Sequence, residues 1–146
     1  MNLFDNTLRD GGNVVGHGFS EELTACVVRG LLEAGIRDIE MGNCKGLGAY
    51  EQLNAVSAPS DEAYFRAVRP YLGQGRIGMF LLAKCAEEKA VRAAADAGLD
   101  FLRVGANAGD GETAVKAVAL VKRAGLVCRY SLMKAYVSTP EELAAE

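Results

Sequence analysis

One short pattern occurs three times in the chain and constrains its fold more than any other feature. Each copy is the end of an amphipathic helix, an Ala-Gly pair and then an apolar run, and the pairs are Ala34-Gly35, Ala97-Gly98 and Ala124-Gly125. Glycine suits the left-handed conformation just past a helix end because it has no Cβ to clash. The pattern therefore predicts a series of helix-to-strand units.

Further signals complete a predicted alternation of strands and helices. Oxygen-bearing caps followed by acidic residues mark helix starts at Ser20, Ser60 and Thr139. The predicted strands cover residues 2–6, 37–41, 76–83, 101–105 and 127–133, and the predicted helices cover 20–34, 61–72, 86–97, 111–124 and 140 onward. Several strands are almost continuously apolar, as in a parallel sheet with both faces covered.

This alternation is compatible with two α/β architectures. Right-handed crossovers allow either a doubly wound sheet of five strands or part of a (β/α)8 barrel. A length of 146 residues favours the doubly wound sheet on size alone, because a complete barrel takes about 250 residues. In both architectures the functional site is expected at the carboxyl ends of the strands.

Charge and composition exclude several classes of function. Sixteen Lys and Arg against nineteen Asp and Glu give a net charge of −3, which provides no basic surface for nucleic acid. The sequence contains no apolar run of membrane-spanning length and no secretion signal at its start, so a cytoplasmic location is expected. Four scattered cysteines without a C-x-x-C pair indicate reduced thiols rather than a zinc site or disulfides.

Polar and charged residues lie at the end of every predicted strand. In chain order they are Asp5, Arg9 and Asp10; Glu40 and Asn43; Lys84; Arg103 and Asn107; Lys134 and Tyr136. The densest group is residues 5–13, where two carboxylates flank a guanidinium that could bind a hard divalent cation and stabilise an oxyanion. An Asx-rich turn with a surface Arg–Asp pair is the alternative interpretation of the same residues.

The motif Thr7-Leu8-Arg9-Asp10-Gly11, followed by Ile39-Glu40 at the second strand end, resembles the DRE-TIM metallolyases. This family includes hydroxymethylglutaryl-CoA lyase, and the likeness is strongest to its 4-hydroxy-2-oxovalerate aldolase branch. Weaker matches continue in order through Gly46-Leu47-Gly48, Leu102-Arg103-Val104 and Pro140-Glu141-Glu142. The resemblance implies that residues 1–146 form a single partial catalytic domain, the first four and a half βα units of a (β/α)8 TIM barrel.

The resemblance also implies an activity and a set of site residues. The activity is divalent-metal-dependent cleavage or formation of a C–C bond next to a 2-oxo acid, with pyruvate enolate chemistry. Asp10 matches the metal ligand for Mn²⁺ or Mg²⁺, Arg9 matches the arginine that stabilises the enolate oxygen, and Glu40 completes the family's acidic and basic signature. Three further residues are expected to bind substrate: Asn13, Arg103 and Asn107.

Two departures from the family pattern affect these expectations. The aldolase branch has a proton-transferring histidine three residues after the metal ligand, where this sequence has Asn13. His17, the only histidine, is the candidate replacement, although a polar loop residue is the alternative interpretation. Family members also complete the metal site with an H-x-H pair on the seventh strand, and the sequence ends before such a strand. A weakly held metal in an N-terminal fragment is therefore expected.

Other functions and partners follow from the same residues. A Claisen-type acyltransferase of the isopropylmalate or homocitrate synthase branch is one alternative, and a Schiff-base aldolase using Lys84 or Lys134 is another. A phosphoacceptor or nucleotide-binding domain is disfavoured because no phosphate-binding motif follows a strand. Open sheet edges and an apolar inner face predict self-association as a homo-oligomer, or pairing with the missing half of the barrel. The resemblance adds a small 2-oxo acid as substrate and an aldehyde dehydrogenase as partner.

Overall fold

The computed structural model describes residues 3–145. The strands are β1 (Phe4–Asp5), β2 (Asp38–Met41), β3 (Arg76–Leu82), β4 (Phe101–Asn107) and β5 (Val127–Met133). The helices are α1 (Thr7–Asp10), α2 (Glu21–Glu33), α3 (Ala49–Gln52), α4 (Asp61–Val68), α5 (Glu88–Asp96), α6 (Gly111–Arg123) and α7 (Pro140–Ala145). No helix within this range is long and apolar enough to cross a membrane.

The order of the strands distinguishes between the two predicted architectures. All five strands are parallel and follow one another across the sheet in chain order, β1-β2-β3-β4-β5. A doubly wound sheet reverses its strand order at a switch point, whereas a barrel adds each strand beside the previous one. The sheet is therefore part of a (β/α)8 barrel, and the preference based on size alone was wrong.

The hydrophobic core lies between the outer face of this sheet and the helices. Every second strand residue is buried against the helices, and these residues include Ile39, Met41, Ile77, Met79, Leu81, Leu102, Val104 and Ala106. The helices contribute small and branched side chains such as Val28, Val91, Ala117 and Val121. All the main helices thus cover one face, which leaves the other face to form the interior of the barrel.

The inner face differs from the apolar surface that the sequence predicted. The alternate strand residues here include Asp38, Glu40, Phe80, Phe101 and Arg103, which form ion pairs and cation–π contacts with one another and with neighbouring residues. The strands appeared apolar in the sequence because the residues on one face of each strand are nearly all aliphatic. The charged residues alternate with them and lie on the other face. The inner face is aromatic and ionic.

A first ionic cluster occupies the amino-terminal end of the inner face. Asp38 accepts hydrogen bonds from Arg76 and Arg129, and the Arg76 Nε lies 2.7 Å from Oδ1 of Asp38. Arg129 also lies over the Phe101 ring at 4.1 Å from its centroid. The bonds from Arg76, with a smaller contribution from Arg129, lower the pKa of Asp38 to about 2. This cluster lies at the end of the inner face opposite the strand carboxyl ends.

Element boundaries differ from the predictions mainly at the ends of elements. The first strand, predicted over residues 2–6, is hydrogen-bonded only at Phe4–Asp5, and Met1 and Asn2 lie outside the described residues. The helix predicted over 61–72 ends at Val68 and continues as a 3-10 turn, and the helix predicted over 86–97 covers Glu88–Asp96. The three Ala-Gly junctions are confirmed, because Gly35, Gly98 and Gly125 have φ angles of 86°, 87° and 82°.

Asp61, the first residue of α4, forms a hydrogen bond with the loop after β2. Its Oδ2 accepts a hydrogen bond from the Gly48 N–H at 2.7 Å, while Oδ1 is buried and has no partner among the described residues. Burial raises the pKa of Asp61 from 3.8 to about 6. Folding therefore favours the neutral form of this carboxyl group.

The raised pKa of Asp61 predicts that the free energy of unfolding depends on pH. Because the folded-state pKa is raised, the contribution of Asp61 is fully present below pH 3.8 and is lost as the pH rises to about 6. Asp61→Asn keeps an oxygen acceptor for Gly48 and removes the charge, so it should raise the free energy of unfolding at pH 8 by about 1–3 kcal/mol. At pH 3.5 it should have little effect.

Urea denaturation at the two pH values measures this difference. Glu33→Gln, on the exposed end of α2, is the matched control and should change stability by less than about 0.5 kcal/mol at either pH. Equal effects of Asp61→Asn at pH 3.5 and pH 8 would show that the buried charge is not the cause.

Candidate functional site

A helical turn directly after β1 places Arg9 and Asp10 at the carboxyl ends of the strands. Asp5 accepts hydrogen bonds from the backbone N–H of Thr7 at 3.1 Å and from its hydroxyl at 3.2 Å. The Asn6 carbonyl then accepts the N–H groups of Arg9 and Asp10 at 3.1 and 2.7 Å. The Asx-type turn is therefore present, and its effect is to aim Arg9 at the inner face of the sheet.

Glu40 is the centre of a second ionic cluster, at this carboxyl end. Its side chain is 0% exposed, and its Oε1 accepts the Arg9 Nε at 2.8 Å. Arg103 binds the same carboxylate in a bidentate manner, with both N···O distances at 2.7 Å. A buried carboxylate held by two guanidinium groups fixes the position of both arginines.

The ring of Phe80 packs against the guanidinium groups of both arginines. The guanidinium carbons of Arg9 and Arg103 lie 5.1 and 5.0 Å from the centroid of its ring. The ring occupies the space beside Gly105, where an added Cβ would lie 2.2 Å from Cζ of Phe80. Stacking and hydrogen bonding together orient the guanidinium planes, and the glycine makes room for the ring.

Arg9 keeps hydrogen-bonding capacity for a ligand. Its Nε donates to Glu40, and its Nη1 donates to Asp10 at 2.7 Å. These bonds use two of the five N–H groups of a guanidinium. The side chain is 13% exposed, so the remaining donors lie at a nearly dry surface, where a hydrogen bond to an anionic oxygen is strong.

Asp10 fits the role of one metal ligand but does not make a complete metal site. Its side chain is 62% exposed and one oxygen is already paired with Arg9. Between residues 3 and 145 no group of three or more His, Cys, Asp or Glu side chains is arranged to hold a metal ion. A divalent cation here would need further ligands in addition to this single carboxylate.

Asn13 and His17 follow this turn, and among the described residues the side-chain partners of Glu40 are Arg9 and Arg103 rather than either of these two. The Asn13 side chain donates to the backbone carbonyl of Asp10 at 2.9 Å, so it stabilises the turn. His17 Nδ1 lies 2.7 Å from the Ser57 hydroxyl, which is 2.7 Å from the Gly16 carbonyl. Because the hydroxyl has one proton and the carbonyl can only accept, Nδ1 of His17 must be the donor, and its Nε2 is left as the free ring nitrogen.

A cavity of about 380 Å³ adjoins the ionic cluster at the ends of β3, β4 and β5. Lys84 and Lys134 line it together with Asn107, Asp110 and Thr113. The Asn107 amide donates to Asp110 at 3.1 Å. The cavity therefore contains the two predicted strand-end lysines and one of the predicted substrate-binding residues.

The structure thus brings some predicted site residues together and separates others. Arg9, Asp10, Glu40 and Arg103 form one connected cluster, and Asn107 lies on the neighbouring cavity. Asn13 points back to its own turn, and His17 is held by a different loop. Phe80 was not predicted as a site residue. Its pairing with Arg103 across β3 and β4 places it in the cluster, and this pairing depends on the strand register.

The fold and the cluster define the class of protein. Five sequential parallel strands with helices on one face and a charged site at their carboxyl ends are typical of a (β/α)8 barrel enzyme. The solved structures agree in fold: an aldolase N-terminal domain from Bacteroides vulgatus matches 98% of this chain and 48% of that chain with a TM-score of 0.67 at 17% identity. The carboxyl transferase domain of Rhizobium etli pyruvate carboxylase gives a TM-score of 0.66 at 15% identity over 89% of this chain and 24% of that chain.

Sequence comparison then identifies the particular relatives, and the predicted resemblance to 4-hydroxy-2-oxovalerate aldolases is confirmed. The chain is 32% identical over its whole length to 4-hydroxy-2-oxovalerate aldolase 2 of Nocardia farcinica and covers 42% of it. It is 30% identical over 98% of its length to the aldolase of Carboxydothermus hydrogenoformans and covers 43% of it. The chain therefore spans less than half the length of these relatives. No protein-family model matches it.

Proposed function

We propose that the chain supplies the N-terminal part of the active site of an aldolase that cleaves or forms a C–C bond next to a 2-oxo acid. The observation that carries this proposal is Arg9, anchored to buried Glu40 at the strand carboxyl ends with N–H groups left for a ligand. The similarity to 4-hydroxy-2-oxovalerate aldolases supports the substrate class.

The proposed chemistry uses the arginine to hold developing negative charge. In the cleavage direction, the hydroxyl at C4 of a 4-hydroxy-2-oxo acid loses its proton, the C3–C4 bond breaks and an aldehyde leaves. The electron pair of that bond forms the enolate of the 2-oxo acid, and C3 then takes up a proton. A guanidinium beside the enolate oxygen stabilises this charge more than it stabilises the ground state.

Other residues of the chain have proposed supporting roles. Arg103 would bind the carboxylate of the 2-oxo acid, and Glu40 positions both arginines. Free Nε2 of His17 is the proposed proton acceptor in place of the family histidine, since the amide of Asn13 cannot act as a base. Asn107 would contact substrate from the neighbouring cavity.

A divalent cation, Mn²⁺ or Mg²⁺, is part of the proposal. When bound, it would polarise the 2-oxo group as a Lewis acid. Asp10 is the described residue proposed to bind it, and the exposed carboxylate supports this role. The other ligands would come from substrate, water or additional polypeptide, which is consistent with weak binding of the metal by these residues alone. A homo-oligomer, an aldehyde dehydrogenase partner and a cytoplasmic location remain predictions.

A substitution at Arg9 tests the proposal. The full-length enzyme with Mn²⁺ should exchange the C3 protons of pyruvate for deuterium in D₂O, a partial reaction that needs no aldehyde. Arg9→Lys keeps the charge but loses the guanidinium fork, so exchange should slow by about 100-fold. Proton NMR of the pyruvate methyl group measures the rate.

Two controls make the outcome specific. Arg66→Lys, at an exposed ion pair with Glu21, should exchange at the wild-type rate. Removal of the metal with a chelator should abolish exchange, and Mn²⁺ should restore it. Wild-type exchange in Arg9→Lys, or no exchange by the enzyme above the buffer rate, would contradict the proposed function.

A further inference from the structure

The cavity at the ends of β3, β4 and β5 has an electrostatic character opposite to that of the chain as a whole. The chain has a net charge of −3, yet the charged residues that line the cavity are Lys84, Lys134 and Asp110. Neither lysine forms an ion pair with any residue between positions 3 and 145. Asp110 is engaged by the Asn107 amide at 3.1 Å. Two lysines against one aspartate leave the lining with a net positive charge.

Two structural features add to this positive character. The thirteen-residue helix α6 begins at Gly111, and Thr113 in its first turn lines the cavity. Asp110 is the N-cap residue but makes no side-chain hydrogen bond to the helix N–H groups, so the positive end of the helix dipole faces this region. Lys134 has a left-handed backbone with φ 57°, a conformation that lysine rarely adopts. Lys134 directly follows β5 and lines the cavity, so a cationic side chain lies at the site.

The position of the cavity relates it to the ionic cluster. Gly105 lines the cavity and lies on the same strand face as Arg103, two residues further toward the carboxyl end. Phe80, which stacks under Arg9 and Arg103, fills the space beside Gly105. A ligand in the cavity would therefore sit next to a ligand held by the arginines. The volume of about 380 Å³ is within the range of small-molecule sites.

We infer that this cavity binds the anionic group of the acceptor aldehyde, so that the enzyme prefers small aldehydes that carry a carboxylate or a phosphate. This inference rests on the proposed function, because the aldehyde must meet the enolate held at Arg9. Lys84 and Lys134 act by charge and hydrogen bonding, and the aldehyde's remote end lies between them. The C–C bond still forms between C3 of the enolate and the aldehyde carbon, whose oxygen takes a proton to become the hydroxyl.

Matched pairs of aldehydes test the inference in the condensation direction. Succinic semialdehyde is compared with butyraldehyde, which has a methyl group in place of the carboxylate, and glyceraldehyde 3-phosphate is compared with glyceraldehyde. The full-length enzyme should favour an anionic member by about tenfold in kcat/KM, as expected for two partly exposed charge contacts and a helix N-terminus. The pair with the larger ratio shows whether carboxylate or phosphate is the natural group.

Variants connect the preference to the lysines. Lys84→Gln combined with Lys134→Gln should reduce the ratio to about one, mainly through a higher KM for the anionic aldehyde, whereas Lys84→Arg combined with Lys134→Arg should retain most of it. Lys116→Gln removes one charge from an exposed position on α6 outside the cavity and should keep the wild-type ratio. Equal kcat/KM for both members of both pairs in the wild type, or an unchanged ratio in the Gln variant, would overturn the inference.

Two further readouts separate this inference from the other possibilities. If pyruvate exchanges its C3 protons but shows no preference for anionic aldehydes, the inference fails and the proposed function stands. If exchange itself is absent, the proposed function fails. Borohydride treatment in the presence of pyruvate should leave the protein mass unchanged, because the lysines bind an anion and form no imine. A covalent adduct on Lys84 or Lys134 would overturn the assigned role.

Discussion

Glu40→Gln is expected to lower the free energy of unfolding by about 3–5 kcal/mol. The Glu40 side chain is fully buried and is the shared partner of Arg9 and Arg103. The amide removes the negative charge and leaves two guanidinium groups close together with no buried counter-ion. Their mutual repulsion and the loss of charge-assisted hydrogen bonds act in the same direction. Urea denaturation monitored by circular dichroism measures the loss.

A matched control and a compensating variant give this prediction its specificity. Glu21→Gln removes a carboxylate that pairs with Arg66 at an exposed site, 3.3 Å away, and should cost less than about 1 kcal/mol. Adding Arg103→Met to Glu40→Gln removes one of the two stranded charges and should recover part of the lost stability. A loss below 1 kcal/mol in Glu40→Gln, or no recovery in the double variant, would show that the cluster does not stabilise the fold in this way.

Gly78→Ala is expected to destabilise the protein by about 2–3 kcal/mol. Gly78 is paired with Phe101 across the β3–β4 register. A Cβ at this position would lie 2.3 Å from the backbone oxygen of Phe101 and 2.6 Å from its ring. The ring could rotate away, but the backbone oxygen belongs to the sheet, so the two strands would have to separate locally. Differential scanning calorimetry should show a clear fall in Tm.

Gly30→Ala provides a control of opposite sign. Gly30 lies within α2, and a Cβ there would meet nothing within 4 Å. Alanine has the higher helix propensity, so this variant should gain about 0.5–1 kcal/mol. The same chemical change therefore stabilises one position and destabilises the other. Similar effects at the two glycines would contradict the steric explanation.

Much of the fold could be predicted from local patterns because those patterns have local causes. The left-handed glycines at positions 35, 98 and 125 end their helices as expected, and the caps at Ser20 and Ser60 accept the N–H groups of Leu23 and Ala63. These signals require only a few neighbouring residues. The choice between a doubly wound sheet and a barrel required the strand order, which no local pattern contains.

The site could be predicted only in part, because some of its contacts also depend on long-range strand pairing. The Thr7-Leu8-Arg9-Asp10-Gly11 motif and Glu40 marked the cluster by resemblance, but the bidentate bond from Arg103 depends on the register that links β2, β3 and β4. The roles of Asn13 and His17 could not be distinguished by spacing, since both lie in a loop whose conformation depends on contacts to Asp10 and Ser57. Alternating charged residues within apolar strands were the available signal for an ionic inner face.

The sequential order of the strands also has a consequence for how the protein is made. Each strand pairs with the strand that precedes it in the chain, from β1–β2 through β4–β5. On the ribosome, every new strand therefore finds its neighbour already synthesised and does not have to wait for a distant segment. The sheet can thus grow from β1 toward β5 at the pace of translation, one βα unit at a time.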